Sequence, residues 1–163
     1  MGDLQEVSEF RMPKSVLYGR NSLEKLGEQS KKLGKRAFIV TDTIMEKLGY
    51  VEKCMQQLNK KGITVSTYNK VDAEPTNIHV LEALSLCKEE KCDFIIGIGG
   101  GSCIDAAKAV AVLYTNGGEV EDYVQKDIKI ENNPLPLIAI PTTSGTGSEV
   151  TSVAVITNKK TDV

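Results

Sequence analysis

Short apolar runs alternating with stretches of helical spacing set the pattern of this chain. Ala37-Phe38-Ile39-Val40 and Phe94-Ile95-Ile96-Gly97-Ile98 are brief and almost free of polar residues, as expected of strands buried on both faces. Ile63–Tyr68 alternates and predicts a third strand, Pro136–Ile140 another, and Ser152–Ile156 a last one. Near the start, Phe10–Tyr18 holds two short extended stretches around Pro13, of which Val16-Leu17-Tyr18 is the better strand candidate. Helices are predicted between these runs. One covers Leu23–Leu33, capped by Ser22 and ended by Gly34, with Leu23, Leu26 and Leu33 as core positions. A second, in two parts (Ile44–Leu48 and Val51–Lys61), breaks near Gly49 and stops at Gly62. A third covers Ile78–Glu89, capped by Thr76 or Asn77, with Leu81, Leu84 and Leu86 as its apolar positions. In the stretch ending at Tyr114, Ile104, Ala107, Val110 and Ala111 recur every three to four residues, one face of an amphipathic helix. Glu119–Tyr123 predicts a short helix and Gln125–Asn133 a polar loop. This rhythm predicts an α/β fold, a doubly wound and mostly parallel sheet with helices on both faces.

In such sheets ligands bind outside the carboxyl ends of the strands. Asp42, the glycine-rich stretch after Ile98 and the segment after Ile140 all fall there. That stretch, Gly99-Gly100-Gly101-Ser102, joins the central strand to its helix. A strand–glycine–helix unit aims unpaired backbone N–H groups and the positive end of a helix dipole at an anion. Without Cβ atoms the backbone can be approached closely. Ser102 suits the N-cap, and Asp105 three residues on resembles a capping box with Asp for the usual Glu or Gln. The spacing is neither GxGxxG nor GxxxxGK[ST], so a plain tight turn stands beside phosphate binding as a reading of these glycines.

The segment Thr142-Thr143-Ser144-Gly145-Thr146-Gly147-Ser148 puts five hydroxyl residues and two glycines into seven positions. Hydroxyls donate and accept, and so suit ribose, phosphate and carboxamide groups together; the alternative is a Ser/Thr-rich surface loop or helix cap.

Composition narrows the remaining choices. The chain of 163 residues fits one domain with a core of its own. A formal net charge of −2 gives no electrostatic footprint for nucleic acid or an anionic membrane. No apolar run approaches the ~20 residues that cross a bilayer, and the opening MGDLQEVSEF lacks the basic and apolar regions of a signal peptide. Cys54, Cys87, Cys92 and Cys103 form no CxxC pair and read as reduced thiols of a cytoplasmic protein. His79 is the single histidine, which argues against a His-based metal site within this chain.

GGGSCIDAAKAVAVL, followed about forty residues later by PLIAIPTTSGTGSEVTSVAVIT, resembles the iron-containing alcohol dehydrogenases. Val16-Leu17-Tyr18-Gly19, Ile39-Val40-Thr41-Asp42 and Glu74-Pro75-Thr76 extend the resemblance over nearly the whole chain. It implies a Rossmann-like, dehydroquinate-synthase-like N-terminal domain for dinucleotides, followed by a helical metal-binding domain. By that resemblance Gly99, Gly100, Gly101 and Ser102 hold the pyrophosphate, and Thr142, Thr143 and Thr146 contact the phosphates and the nicotinamide side. Asp105 and Lys108 belong to the same motif. Asp42 matches the acidic residue near the adenine ribose; a carboxylate there accepts from both ribose hydroxyls and repels a 2′-phosphate, which favours NAD over NADP. Glu74-Pro75-Thr76 matches the pattern near the adenine, with Glu74 where many members carry Asn.

The implied activity is oxidation of alcohols to aldehydes or ketones with NAD. The implied partners are a small alcohol or aldehyde and, at most, a second copy in a homodimer. The family's Fe2+ (or Zn2+) is held by an Asp and three His of the helical domain. None of these lies within residues 1–163, so the chain is expected to be the cofactor domain of a longer enzyme, inactive alone. A glycerol- or sugar-phosphate-type dehydrogenase of the same superfamily is the alternative activity. A non-catalytic nucleotide-binding or interaction module is the alternative of another kind.

Overall fold

The computed structural model describes residues 12–125 and 128–159. Four strands form one sheet: β1 (Arg36–Val40), β2 (Thr64–Tyr68), β3 (Phe94–Gly99) and β4 (Leu137–Pro141). Their order is β2-β1-β3-β4 and every pairing is parallel. Helices fill the connections. A 3-10 turn (Ser22–Lys25) and α1 (Leu26–Ser30) precede β1, α2 (Thr43–Lys47) and α3 (Tyr50–Asn59) link β1 to β2, and α4 (Asn77–Glu89) links β2 to β3. After β3 come α5 (Gly101–Asn116) and α6 (Val120–Gln125). The expected fold class is the one observed.

Strand alternation divides the core in two. Phe38, Val40 and Ile95 point to one face, against Val80, Ala83, Leu84 and Cys87 of α4 and Ala106, Ala107 and Val110 of α5. Ala37, Ile39, Phe94, Ile96 and Ile98 point to the other, against Leu26, Val51, Cys54 and Leu58. Both faces of the central strands are covered, which is why β1 and β3 read as near-continuous apolar runs. Gly97 lets α5 lie close to β3: a Cβ there would stand 3.1 Å from Ala107 Cβ and 3.2 Å from Ile104 Cα. All four cysteines are buried and free. Among the described residues, no helix is long and apolar enough to cross a membrane.

Several elements differ from expectation for local reasons. Val16, Leu17 and Tyr18 are exposed and join no ladder; Phe10 and Arg11 lie outside the described residues. The first helix is shorter than Leu23–Leu33, opening as a 3-10 turn whose cap position is Asn21, in the left-handed region, rather than Ser22. On α4 the buried stripe is Val80, Ala83, Leu84 and Cys87, the i, i+3, i+4, i+7 set. Leu81 falls off it and is exposed. Thr76 caps α4 in a reciprocal box: its Oγ1 accepts from His79 N–H at 3.3 Å, and His79 Nδ1 accepts from Thr76 N–H at 3.3 Å.

The strand expected at Ser152–Ile156 does not form; only an isolated bridge pairs Thr157 with Thr76. Side chains of α5 take the backbone groups a ladder would need. Asp105 Oδ2 accepts from Val155 N–H at 3.0 Å, and Lys108 Nζ donates to the Val153 carbonyl at 2.6 Å.

Candidate functional site

The order β2-β1-β3-β4 makes the chain step outward from β1 to β2, then return past β1 to β3. That reversal is a topological switch point, where adjacent loops diverge and leave a crevice at the carboxyl edge. Asp42 follows β1 there and Gly99 ends β3 there. Thr41 sews the edge together: its Oγ1 donates to the Ile98 carbonyl at 2.9 Å and its N–H to the Tyr68 carbonyl at 2.9 Å. Sequence reading named Thr41 only by position; a hydroxyl closing an apolar strand was the signal for this role.

Asp42 caps α2, its Oδ1 accepting from Met45 N–H at 2.8 Å. Its Oδ2 lies 3.5 Å from Cys103 Sγ, whose thiol donates to it. Burial first, then the Asp42 charge and hydrogen bond, push the Cys103 thiol up to about 12, so it stays an S–H donor at neutral pH. Gly99 packs between them. A Cβ on Gly99 would meet Cys103 Sγ at 2.7 Å and Asp42 Oδ2 at 3.3 Å, and its φ of +140° already lies where side chains are rarely accommodated.

The turn beyond Gly99 opens differently from the expected cap. α5 starts at Gly101 and its cap position is Gly100, with no side-chain cap hydrogen bond. Ser102 therefore sits inside the first turn and Asp105 closes no capping box, because Gly101 is already helical and moves the helix start forward. The Ile104 N–H makes the bond to the Gly100 carbonyl, 3.3 Å away. The N–H groups before it are those an α-helix leaves without an intrahelical partner. An uncapped helix start of this kind is an anion seat.

The hydroxyl-rich segment is the opposite wall. Thr142 N–H bonds the Gly99 carbonyl at 2.9 Å, carrying the β3–β4 pairing past the strand ends. A Cβ on Gly100 would first meet Thr143 Oγ1, at 3.5 Å; one on Gly101 would meet Ser148 Oγ at 3.0 Å and Thr146 Cβ at 3.3 Å. Gly145 and Gly147 turn the loop through positive φ, 94° and 70°. Thr142, Thr143 and Thr146 are exposed, while Ser148 is buried against the glycine turn. Nothing in the sequence sets Ser148 apart from the other four hydroxyl residues of the segment.

Asp42, Gly99, Gly100, Gly101, Ser102, Thr142, Thr143 and Thr146 are thus brought to one edge. Asp105 is not on its open side: it is 7% exposed, with Oδ1 3.2 Å from Lys108 Nζ and Oδ2 on Val155 N–H. Glu74 also turns away, accepting from Thr157 Oγ1 at 3.2 Å. Among the described residues no group of three or more His, Cys, Asp or Glu side chains could hold a metal ion, and His79 is spent on the α4 cap. Iron or zinc does not fit these residues. An anionic ligand bearing hydroxyls does fit the edge, because the glycine turn carries no side chains of its own and the facing hydroxyls of Thr142, Thr143 and Thr146 are exposed.

The chain is thus a doubly wound α/β domain with an uncapped helix start and a carboxylate at its switch point, the edge where such sheets take ligands. Comparison with known proteins places it in a family. The model of the family described as iron-containing alcohol dehydrogenase matches residues 13–163, and the chain belongs to that family. It is 37% identical to the NAD-dependent methanol dehydrogenase of Bacillus methanolicus, over 93% of this chain and 40% of that protein. It is 43% identical to alcohol dehydrogenase 4 of Schizosaccharomyces pombe, over 94% of this chain and 36% of that one. The solved iron-containing alcohol dehydrogenase of Thermotoga maritima superposes with a TM-score of 0.85 at 38% identity, over 94% of this chain and 43% of that one. The chain spans about 40% of the length of such relatives, their N-terminal part.

Proposed function

We propose that this chain is the NAD-binding domain of a metal-dependent alcohol dehydrogenase that interconverts alcohols with aldehydes or ketones in the cytoplasm. The observation that carries the reading is the meeting of Asp42 and the Gly99–Ser102 turn at the switch point of the sheet. The relatives named above supply the reaction type. In this reading the pyrophosphate rests on the open N–H groups at the start of α5, stabilised by the helix dipole. Thr142, Thr143 and Thr146 offer hydroxyls from the facing wall and can follow the dinucleotide toward its nicotinamide end.

Asp42 sets the cofactor. An ionised carboxylate has about four acceptor positions; Met45 and Cys103 use two. The remaining two match the vicinal hydroxyls of an adenosine ribose, whereas a 2′-phosphate would bring negative charge against negative charge. Asp105 is assigned to tethering residues 153–155 rather than to touching the cofactor. NAD, when bound, supplies the hydride acceptor; this chain's residues bind and orient it. The parent enzyme's metal is assigned to residues other than those described here. The test is calorimetric titration of the chain with NAD and NADP. Tighter NAD binding supports the reading; tighter NADP binding overturns the role of Asp42, and binding of neither overturns the domain assignment.

A further inference from the structure

We propose that Cys103 is a positioning residue for cofactor selectivity, acting through Asp42. The inference rests on the dinucleotide reading above and deepens it. Cys103 lies in the first turn of α5, is 1% exposed, and aims its S–H at Asp42 Oδ2 from 3.5 Å. The other oxygen of Asp42 is held by Met45 N–H at 2.8 Å. Two donors on the two oxygens fix the plane of the carboxylate, so its free acceptor positions keep one direction.

The geometry leaves no slack. Gly99 fits between the thiol and the carboxylate only because it has no side chain, since a Cβ would come within 2.7 Å of Sγ. The helix that seats phosphate is therefore wired to the group that reads ribose. Cys103 touches no ligand position itself; its effect passes through the orientation of Asp42. A cofactor whose ribose hydroxyls need that orientation feels its loss, and one carrying a 2′-phosphate does not.

The experiment measures NADH and NADPH dissociation constants by fluorescence for the full chain and for Cys103→Ala, Cys103→Ser, Asp42→Ala and Cys103→Ala/Asp42→Ala, with melting curves for each. Cys103→Ala is expected to weaken NADH about fivefold, as for one lost hydrogen bond, and to leave NADPH unchanged. Cys103→Ser, which keeps a donor, should stay nearer the unmodified chain, and in the Asp42→Ala background removing the thiol should change nothing. Equal weakening of both cofactors, no weakening, or a thiol effect that persists without Asp42 overturns the proposal. Should Cys103→Ala not fold, a folded Cys103→Ser protein that has lost its preference for NADH overturns it and one that keeps it supports it. If Asp42→Ala leaves both affinities unchanged, the reading of Asp42 fails as well; if Asp42→Ala weakens NADH and Cys103→Ala does not, only this inference fails.

Discussion

Lys108 Nζ stands 3.2 Å from Asp105 Oδ1, with both side chains nearly buried at 12% and 10% exposure. The pair sits one helical turn inside α5 and grips the segment after the hydroxyl-rich loop. Lys108 also reaches Thr151 Oγ1 at 3.4 Å and the Val153 carbonyl at 2.6 Å. It holds the exit of one wall of the site to the helix that forms the other.

Breaking that latch should loosen the loop before it unfolds the domain. Lys108→Met leaves Asp105 buried without its counter-charge and should cost roughly 3 kcal/mol. Hydrogen exchange should rise first at Val155, whose N–H bonds Asp105. Uniform protection across residues 151–157 in a folded variant would contradict this role.

Gly99 and Gly100 are neighbours with opposite tolerances. Gly99→Ala introduces a Cβ at positive φ and against the Cys103 sulfur, and should cost about 2 kcal/mol or more. Gly100 has φ −75° and ψ −172°, an extended conformation any residue adopts, and its nearest neighbour is at 3.5 Å. Gly100→Ala should therefore melt within a few degrees of the unmodified chain. Thermal denaturation of the two variants side by side checks the contrast.

Asp93 should make the fold acid-sensitive. Its Oδ2 accepts from Lys35 N–H at 2.7 Å and Arg36 N–H at 2.8 Å, clamping the entry of β1 to that of β3. Burial works against the charge, but those N–H bonds and the Arg36 guanidinium outweigh it and hold the carboxyl below the usual carboxylate range. A depressed folded value means the contribution is complete above the unfolded pKa of about 4 and is lost as pH falls through the folded one. Asp93→Asn should be destabilised by about 1–2 kcal/mol at neutral pH and lose less stability than the unmodified chain below about pH 4. Parallel urea melts across that window test the sign.

A polypeptide of residues 1–163 should oxidise no alcohol, with or without added ferrous iron or zinc. A catalytic metal needs about three protein ligands beside an open position. The described residues offer no such group, and the one histidine is bonded within a helix cap. NADH formation from short-chain alcohols and diols is the assay; metal-dependent turnover lost on Asp42→Ala would contradict the assignment.

The fold was legible because its central strands are covered on both faces, leaving Phe38–Val40 and Phe94–Ile98 as unmistakable apolar runs. Edge and loop segments carried no such signal. Val16–Tyr18 and Ser152–Ile156 look like strands in composition, but a strand is defined by its partner, and in the second segment Asp105 and Lys108 supply bonds that a partner would have. The meeting of Asp42, the glycine turn and the hydroxyl loop at one edge was legible because each follows a predicted strand of a parallel sheet. Contacts between distant segments were not. The Cys103 thiol on Asp42 joins residues 61 apart in sequence, and Asp105 with Val155 joins residues 50 apart. Ser102 was misplaced by two positions, because a glycine at the helix start leaves no side chain to mark it and the cap falls at Gly100.

The central claim is that a dinucleotide seats its pyrophosphate on the Gly99–Ser102 turn. NADH titration of the unmodified chain and of Gly100→Val, followed by fluorescence with circular dichroism on both, tests it most directly. The account predicts a Gly100→Val protein that keeps its helical signal and binds NADH at least about tenfold more weakly, because its branched side chain adds bulk between the turn and Thr143, the gap the phosphates must enter. Unchanged NADH affinity in a folded Gly100→Val protein would contradict it and remove the turn from the site.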